Sequence, residues 1–279
     1  MTEAPILEVE NLRVDFDTDR GLVASVGGVT FGLGREKLGI VGESGSGKSV
    51  TGRAILGLVR PPGRVYADRL VFRGMDLMAM SPKSRRRLLG AQMSMVMQDP
   101  KYSLHPVKSI GTQLVEAIRL HSELNSREAK EKAVQILERV RIHDPKRVCG
   151  MYAHELSGGM GQRVMVAMMV APNPSLLIAD EPTSALDKTV QLDVLHLLEE
   201  LVQERHMSLL LISHDLKLVS RFCDRVVVMY RGRIVETCTA EGLYAAEHPY
   251  TRALLESVPV VGDERRRLRI MQRDDSWLK

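Results

Sequence analysis

Apolar and polar residues alternate near the front of the chain. Leu7 and Val9 are interleaved with Glu8 and Glu10, and Leu12, Val14 and Phe16 with Arg13 and Asp15. Successive strand side chains point to opposite faces, so this period of two predicts half-buried strands. The turn residues Asp19-Arg20-Gly21 follow, and residues 22–31 resume the strand pattern. Together they predict an antiparallel hairpin.

The pattern then changes. Residues 37–41 form a short apolar strand that runs into a glycine-rich loop, 42–47. A helix is expected from Lys48 until Pro61-Pro62-Gly63 stops it. Residues 65–72 and 93–97 carry further strand patterns. From Asp99 to about Glu155 the period is helical. Asn125-Ser126-Arg127-Glu128 is a variant of the capping box, and behind it Ala129, Ala133, Ile136, Leu137 and Val140 share one face. Strand and helix alternate again after Gln162: helix 162–170, strand 176–180, helix 190–204, strand 208–213, helix 216–222. Residues 225–230 and 233–236 close a hairpin around Arg231-Gly232. Such alternation implies parallel βαβ units with helices on both faces of the sheet. The expected class is α/β, a mostly parallel sheet with an antiparallel β piece in front and a helical block inserted.

Composition narrows the field. A hydrophobic share of 44% and a charged share of 27% over 279 residues suit a globular core and exclude a disordered chain. Aromatics make up 4%, so packing falls to Leu, Val, Ile and the 15 Met, and no sugar- or base-stacking surface is indicated. No apolar run approaches the roughly 18 residues that span a bilayer. The first ten residues carry acids and no long apolar stretch, unlike a signal peptide. Cys149, Cys223 and Cys238 lie far apart, which argues against a zinc site or a disulfide framework and for a reducing cytoplasm. The formal charge is a mild +4. Basic clusters at 83–87 and 265–269 lack interleaved aromatics and read as solvated faces, so no nucleic-acid partner is expected.

Two motifs carry chemistry. Gly42-Glu43-Ser44-Gly45-Ser46-Gly47-Lys48-Ser49 fits G-x-x-x-x-G-K-[ST], after a strand and opening a helix. Glycines let successive N–H groups turn inward on phosphate oxygens, and the helix start adds its positive dipole end. Lys48 brings a full charge to the β and γ phosphates, and the Ser49 hydroxyl is a hard ligand for Mg²⁺. Leu176-Leu177-Ile178-Ala179 is a buried strand that delivers Asp180 to its C-terminal end, where an acid can hold the Mg²⁺ shell. Glu181, one step further, can orient and deprotonate water. The pair of motifs makes a P-loop NTPase that uses ATP and Mg²⁺.

Leu156-Ser157-Gly158-Gly159-Met160, with Gln162 and Arg163 behind it, resembles the signature of ABC ATPases, and it stands where that family places it. The resemblance runs through most of the chain. Gln98 looks like the Q-loop glutamine, Ser184-Ala185-Leu186-Asp187 like the D-loop, and His214 like the switch histidine; Phe16 stands where the family keeps an adenine-stacking aromatic. The resemblance implies a nucleotide-binding domain over 1–255, with a helical subdomain at about 99–160, and a short tail at 256–279. It implies catalytic roles for Glu181, His214 and Gln98, and Mg²⁺ contacts from Ser49, Gln98 and Asp180. Nucleotide contacts would come from Phe16, Gly42, Ser44, Gly45, Ser46, Gly47, Lys48, Ser49 and Val50. Ser157, Gly158 and Gly159 would close on the ATP held by a second ATPase subunit, in a head-to-tail dimer.

Residues 98–106, Gln-Asp-Pro-Lys-Tyr-Ser-Leu-His-Pro, and the tail motif His248-Pro249-Tyr250-Thr251-Arg252-Ala253-Leu254-Leu255 resemble ATPases of dipeptide, oligopeptide and nickel importers. That group implies a heterodimer with a sister ATPase, two permeases, an extracytoplasmic solute-binding protein, and a place on the cytoplasmic face of the bacterial inner membrane. Peptides are the first expected cargo, with nickel chelates or other small solutes behind. A soluble ABC ATPase of DNA repair or ribosome function is the rival class, and the coiled-coil arms, zinc modules or tandem cassettes it would need are missing. Peptide-importer members often carry a cysteine-rich extension that binds an iron–sulfur cluster; none is expected here. Two positions depart from the family. Gly161 stands where relatives carry Arg or another long side chain, which removes a phosphate-facing or cross-subunit contact, and Gly161→Arg is expected to leave activity equal or higher. Lys188 puts a positive charge where an apolar residue is commoner.

Overall fold

The computed structural model describes residues 4–19, 21–100, 103–184, 186–257 and 274–278. The chain divides into two compact units, one of Met1–Met80 with Leu210–Lys279, the other Ser81–Leu209.

The first unit opens with β1 (Leu7–Thr18) and β2 (Gly21–Leu33), antiparallel, with Leu7 opposite Leu33 and Phe16 opposite Val23. Leu7, Val9, Leu12 and Val14 are buried on β1, and Val26, Val29, Phe31 and Leu33 on β2. The two alternating stretches of β1 are one strand. The register slips between Val9 and Leu12, where Asn11 takes φ 49, and the slip keeps both apolar stretches on the buried side. Next come β3 (Lys37–Val41) and α1 (Lys48–Leu56). The helix stops before the prolines expected to break it: Gly57 adopts the left-handed conformation, and its N–H returns to Ala54 and Arg53 carbonyls. The single strand expected over 65–72 is two, β4 (Gly63–Tyr66) and β5 (Arg69–Phe72), each antiparallel to a different part of β1. A two-residue β6 (Met75–Asp76) folds back on β5.

The second unit holds α2 (Pro82–Leu88), β7 (Met93–Val96), α3 (Ile110–Leu120), α4 (Ser126–Arg139), α5 (Pro145–Gly150), α6 (Gly158–Val170), β8 (Leu176–Asp180) and α7 (Lys188–Arg205). Strands β7 and β8 run parallel with every residue buried, as a strand covered on both faces requires. The capping box forms as expected: Asn125 Oδ1 accepts from the Arg127 and Glu128 amides, and Glu128 Oε2 accepts from the Asn125 amide. Ala129, Ala133, Ile136, Leu137 and Val140 are all buried. Helix α6 begins four residues before the expected start, because Ser157 caps it.

The chain re-enters the first unit through β9 (Ser208–Ser213), followed by α8 (Leu216–Phe222), β10 (Arg225–Tyr230), β11 (Arg233–Thr239) and α9 (Pro249–Glu256). There the strands run in the order β11-β10-β3-β9, with β10 parallel to β3 and antiparallel to β11. The three cysteines are free; Cys223 is buried, which pushes its thiol up to about 12, and burial raises Cys149 and Cys238 as well. Among the described residues, no helix is long and apolar enough to cross a membrane.

Candidate nucleotide-binding site

The loop between β3 and α1 has a backbone that glycine alone can supply. Gly42, Gly45 and Gly47 have φ of 151, 81 and 97. A Cβ on Gly42 would lie 2.2 Å from the Met229 carbonyl oxygen, and one on Gly47 2.6 Å from that of Ser25. At Gly45 a Cβ would meet nothing within 4 Å. There the constraint is the torsion, and the loop tip faces open space. The Ser46 amide closes the loop on the Glu43 carbonyl at 3.2 Å, and the Gly232 amide holds the Ser46 carbonyl at 2.9 Å.

Lys48 is 5% exposed. Its ammonium donates to the Gly42 and Glu43 carbonyls, each at 2.7 Å, and lies 3.4 Å from Ser46 Oγ. Ser44 and Gly45 are exposed at the tip, Ser46 and Gly47 are buried, and Ser49 and Val50 sit half-buried on the first turn of α1. That turn carries no acidic residue. A buried cation, a left-handed glycine cradle and an acid-free helix start fit a triphosphate group. On the same turn Ser49 offers a hydroxyl, a hard oxygen donor of the kind Mg²⁺ takes.

Phe16 is half-buried on β1, beside Gly63 of β4, where a Cβ would lie 2.8 Å from its Cε1. His214 directly follows β9 and is exposed; Asp215 next to it caps α8 by accepting from the Leu218 amide.

In the second unit, Asp180 ends β8 at 3% exposure. Glu181 follows with φ 46, a left-handed torsion unusual outside glycine, and its carbonyl accepts from the Ser184 amide and hydroxyl. Strain at that position is the kind found at functional sites. Gln98 is exposed, two residues past β7, whose parallel pairing with β8 sends Gln98 and Asp180 out of the same strand end. Ser157 is exposed and its Oγ accepts from the Met160 amide at the start of α6. Gly158 is also exposed; a Cβ on Gly159 would lie 2.7 Å from Val190 Cγ1.

Gly161 is buried and its missing side chain points at Pro100, 3.5 Å from Cβ and Cγ. Lys188 is exposed at the first turn of α7, which Asp187 caps through the Thr189 and Val190 amides. Lys101 and Tyr102, Ala185, the 265–269 cluster and most of the tail lie outside the described residues. Sequence reasoning missed Ser25, Met229 and Gly232, which brace the loop, and Tyr250, whose hydroxyl accepts the Glu43 amide at 3.0 Å. Of these only Tyr250 left a signal, the tail motif it belongs to.

Residues 28–184 match the family described as ABC transporter, more than half of the chain. The chain belongs to the ABC transporter family. Within it, this ABC ATPase is 46% identical over 265 residues to the dipeptide transport ATP-binding protein DppD of Escherichia coli, covering 94% of this chain and 81% of that one. It is 47% identical over 267 residues to a putative peptide import ATP-binding protein of Brucella abortus, covering 95% and 80%. Among solved structures it resembles cbiO1 of Clostridium perfringens, part of the transporter complex cbiONQ, with TM-score 0.72 and 26% identity over 87% of this chain and 92% of that one. A dimeric post-hydrolysis state of the ATP-binding cassette MJ0796 with ADP and Pi superposes with TM-score 0.73 at 22% identity, covering 84% and 98%, which bears on the fold alone.

Proposed function

We propose that this ABC ATPase powers the import of dipeptides and oligopeptides, working as one of two different ATPase subunits beneath a pair of permeases. Its post is the cytoplasmic face of the bacterial inner membrane, downstream of an extracytoplasmic solute-binding protein. The observation that carries the cargo class is the 46% identity, over 94% of the chain, to a dipeptide transport ATP-binding protein.

Lys48 and the amides of the 42–47 loop hold the phosphates, and Phe16 stacks on the base. Ser49, Asp180 and Gln98 would hold Mg²⁺, which would offset charge on the β and γ phosphates. Glu181 takes the proton of the attacking water, and His214 senses the γ phosphate. Ser157, Gly158 and Gly159 offer a helix N-terminus to ATP held by the partner ATPase.

The test is transport in membrane vesicles that hold the full assembly. ATP-driven uptake of a labelled dipeptide should be present with the native chain and absent with Lys48→Ala. Uptake of nickel chelates with no peptide uptake would move the protein to a neighbouring cargo class. Uptake of peptides that persists with Lys48→Ala would remove the loop from the mechanism.

A further inference from the structure

The tail motif His248-Pro249-Tyr250 has no part in the roles above, yet the structure ties it to the nucleotide loop. Glu236 on β11 anchors it, its Oε1 accepting the Glu247 amide at 2.9 Å and the His248 amide at 3.4 Å. His248 Nδ1 accepts the Tyr250 amide at 3.2 Å and so caps α9, with Pro249 in the first turn. This start aims Tyr250 inward. Tyr250 is fully buried, and the Glu43 N–H donates to its hydroxyl at 3.0 Å.

That N–H belongs to the Gly42–Glu43 peptide, and the carbonyl of the same peptide, on Gly42, accepts from Lys48 Nζ at 2.7 Å. One planar unit thus joins the Tyr250 hydroxyl to the Lys48 ammonium, and a peptide cannot turn one end without the other. Hydrogen bonds in such a chain also polarise one another. Core packing alone would be served by phenylalanine, so the hydroxyl is the informative atom.

The aromatic surroundings fix the ring. Tyr230 lies 4.4 Å from Tyr250 between ring centroids, and Trp277 approaches both rings at 5.5 and 5.6 Å. Tyr230 follows Met229, whose carbonyl abuts Gly42, and leads into the turn where the Gly232 amide holds Ser46. The segment 274–278 therefore packs on the aromatic pair that borders the loop from behind.

We propose that Tyr250 is a positioning residue for ATP: it fixes the Gly42–Glu43 peptide and, through it, Lys48, while Trp277 holds the Tyr250 ring in place. The inference rests on the reading of the loop as the ATP site.

The experiment titrates the full-length chain with MgATP and measures hydrolysis. Tyr250→Phe should raise the ATP Kd and KM by about 2–10-fold, the worth of one hydrogen bond, with kcat changed less. Asn125→Ala, a cap in the other unit, should lower thermal stability with Kd unchanged, which separates lost stability from lost positioning. Trp277→Ala should raise Kd in the native background and add little in the Tyr250→Phe background. Native Kd and KM in Tyr250→Phe, or full multiplication of the two effects in the double variant, overturns the proposal. Native ATP binding that Lys48→Ala abolishes while Tyr250→Phe leaves it intact sinks this inference alone; no ATP binding by the native chain sinks the underlying reading too.

Discussion

Gly47 and Gly161 show how differently two glycines can be needed. At Gly47 the torsion is left-handed and a Cβ would stand 2.6 Å from a backbone oxygen, which has no room to give. Gly47→Ala should therefore cost more than the about 1–2 kcal/mol of the torsion and abolish ATP binding; a titration that matches the native chain would count against the cradle. Gly161 is helical and its missing Cβ has an ordinary 3.5 Å contact with Pro100. Gly161→Ala should raise stability by about 1 kcal/mol through helix propensity, seen as a higher thermal midpoint. Gly161→Arg must push a long charged chain into a buried position and should lower both stability and turnover, the reverse of what the sequence suggests. Candidate chemistry at single residues was readable where a motif names the atom, as at Lys48, Ser49 and Asp180. It was not legible where the constraint comes from distant backbone, since nothing near Gly47 in sequence announces the Ser25 carbonyl, and nothing near Gly161 announces Pro100.

At the scale of elements, strands whose whole length is buried were read with their ends nearly in place, because an unbroken apolar run such as Leu176–Ala179 has no polar residue to blur it. Boundaries governed by backbone torsion were harder. Gly57 ends α1 by turning left-handed, and the prolines that begin four residues later only look like the stop. Residues 65–72 read as one strand since both halves are apolar enough, while the break reflects pairing with two separate stretches of β1. The join between β2 and β3 holds a pair that neither element reveals. Glu36 binds Arg225 of β10 through both carboxylate oxygens, at 2.7 and 3.2 Å, and accepts the Gly34 amide. Burial opposes its ionisation, but the bonds from Arg225 and Gly34 outweigh it and hold the carboxyl below its ordinary range. A lowered folded-state value gives stability that is present above the unfolded value and lost as pH falls through the folded one. Glu36→Gln should thus be less stable than the native chain at neutral pH, and the gap should close on acidification below the ordinary carboxylate range. Denaturant melts across pH measure it, and a gap that persists in acid would exclude ionisation as its source.

For the whole molecule, the ABC fold was legible because its motifs occur in a fixed order, and the partner surfaces were not, since half of each proposed catalytic site belongs to another chain. Two local features bear on that second half. Ser157 and Gly158 are exposed at the start of α6, and Ser157 Oγ already caps the Met160 amide, so the helix end is formed before any partner arrives. A preformed N-terminus adds to affinity only when an anion reaches it. If ATP supplies that anion from the other subunit, assembly is linked to nucleotide by mass action, and ligand that persists should hold the dimer closed. Glu181→Gln keeps the proposed phosphate contacts and removes the proposed base, so with MgATP and the proposed sister ATPase it should accumulate a stable dimer with little hydrolysis. Light scattering during size exclusion reads the mass. Adding Ser157→Arg to the same chain places a long cation at the cap of one of the two composite sites and should weaken the dimer while ATP binding by the loop is retained, because Lys48 and the glycines are untouched. A dimer that survives Ser157→Arg at full strength would mean that the subunits meet through some other surface, and the helix start would then have no role in closing the site.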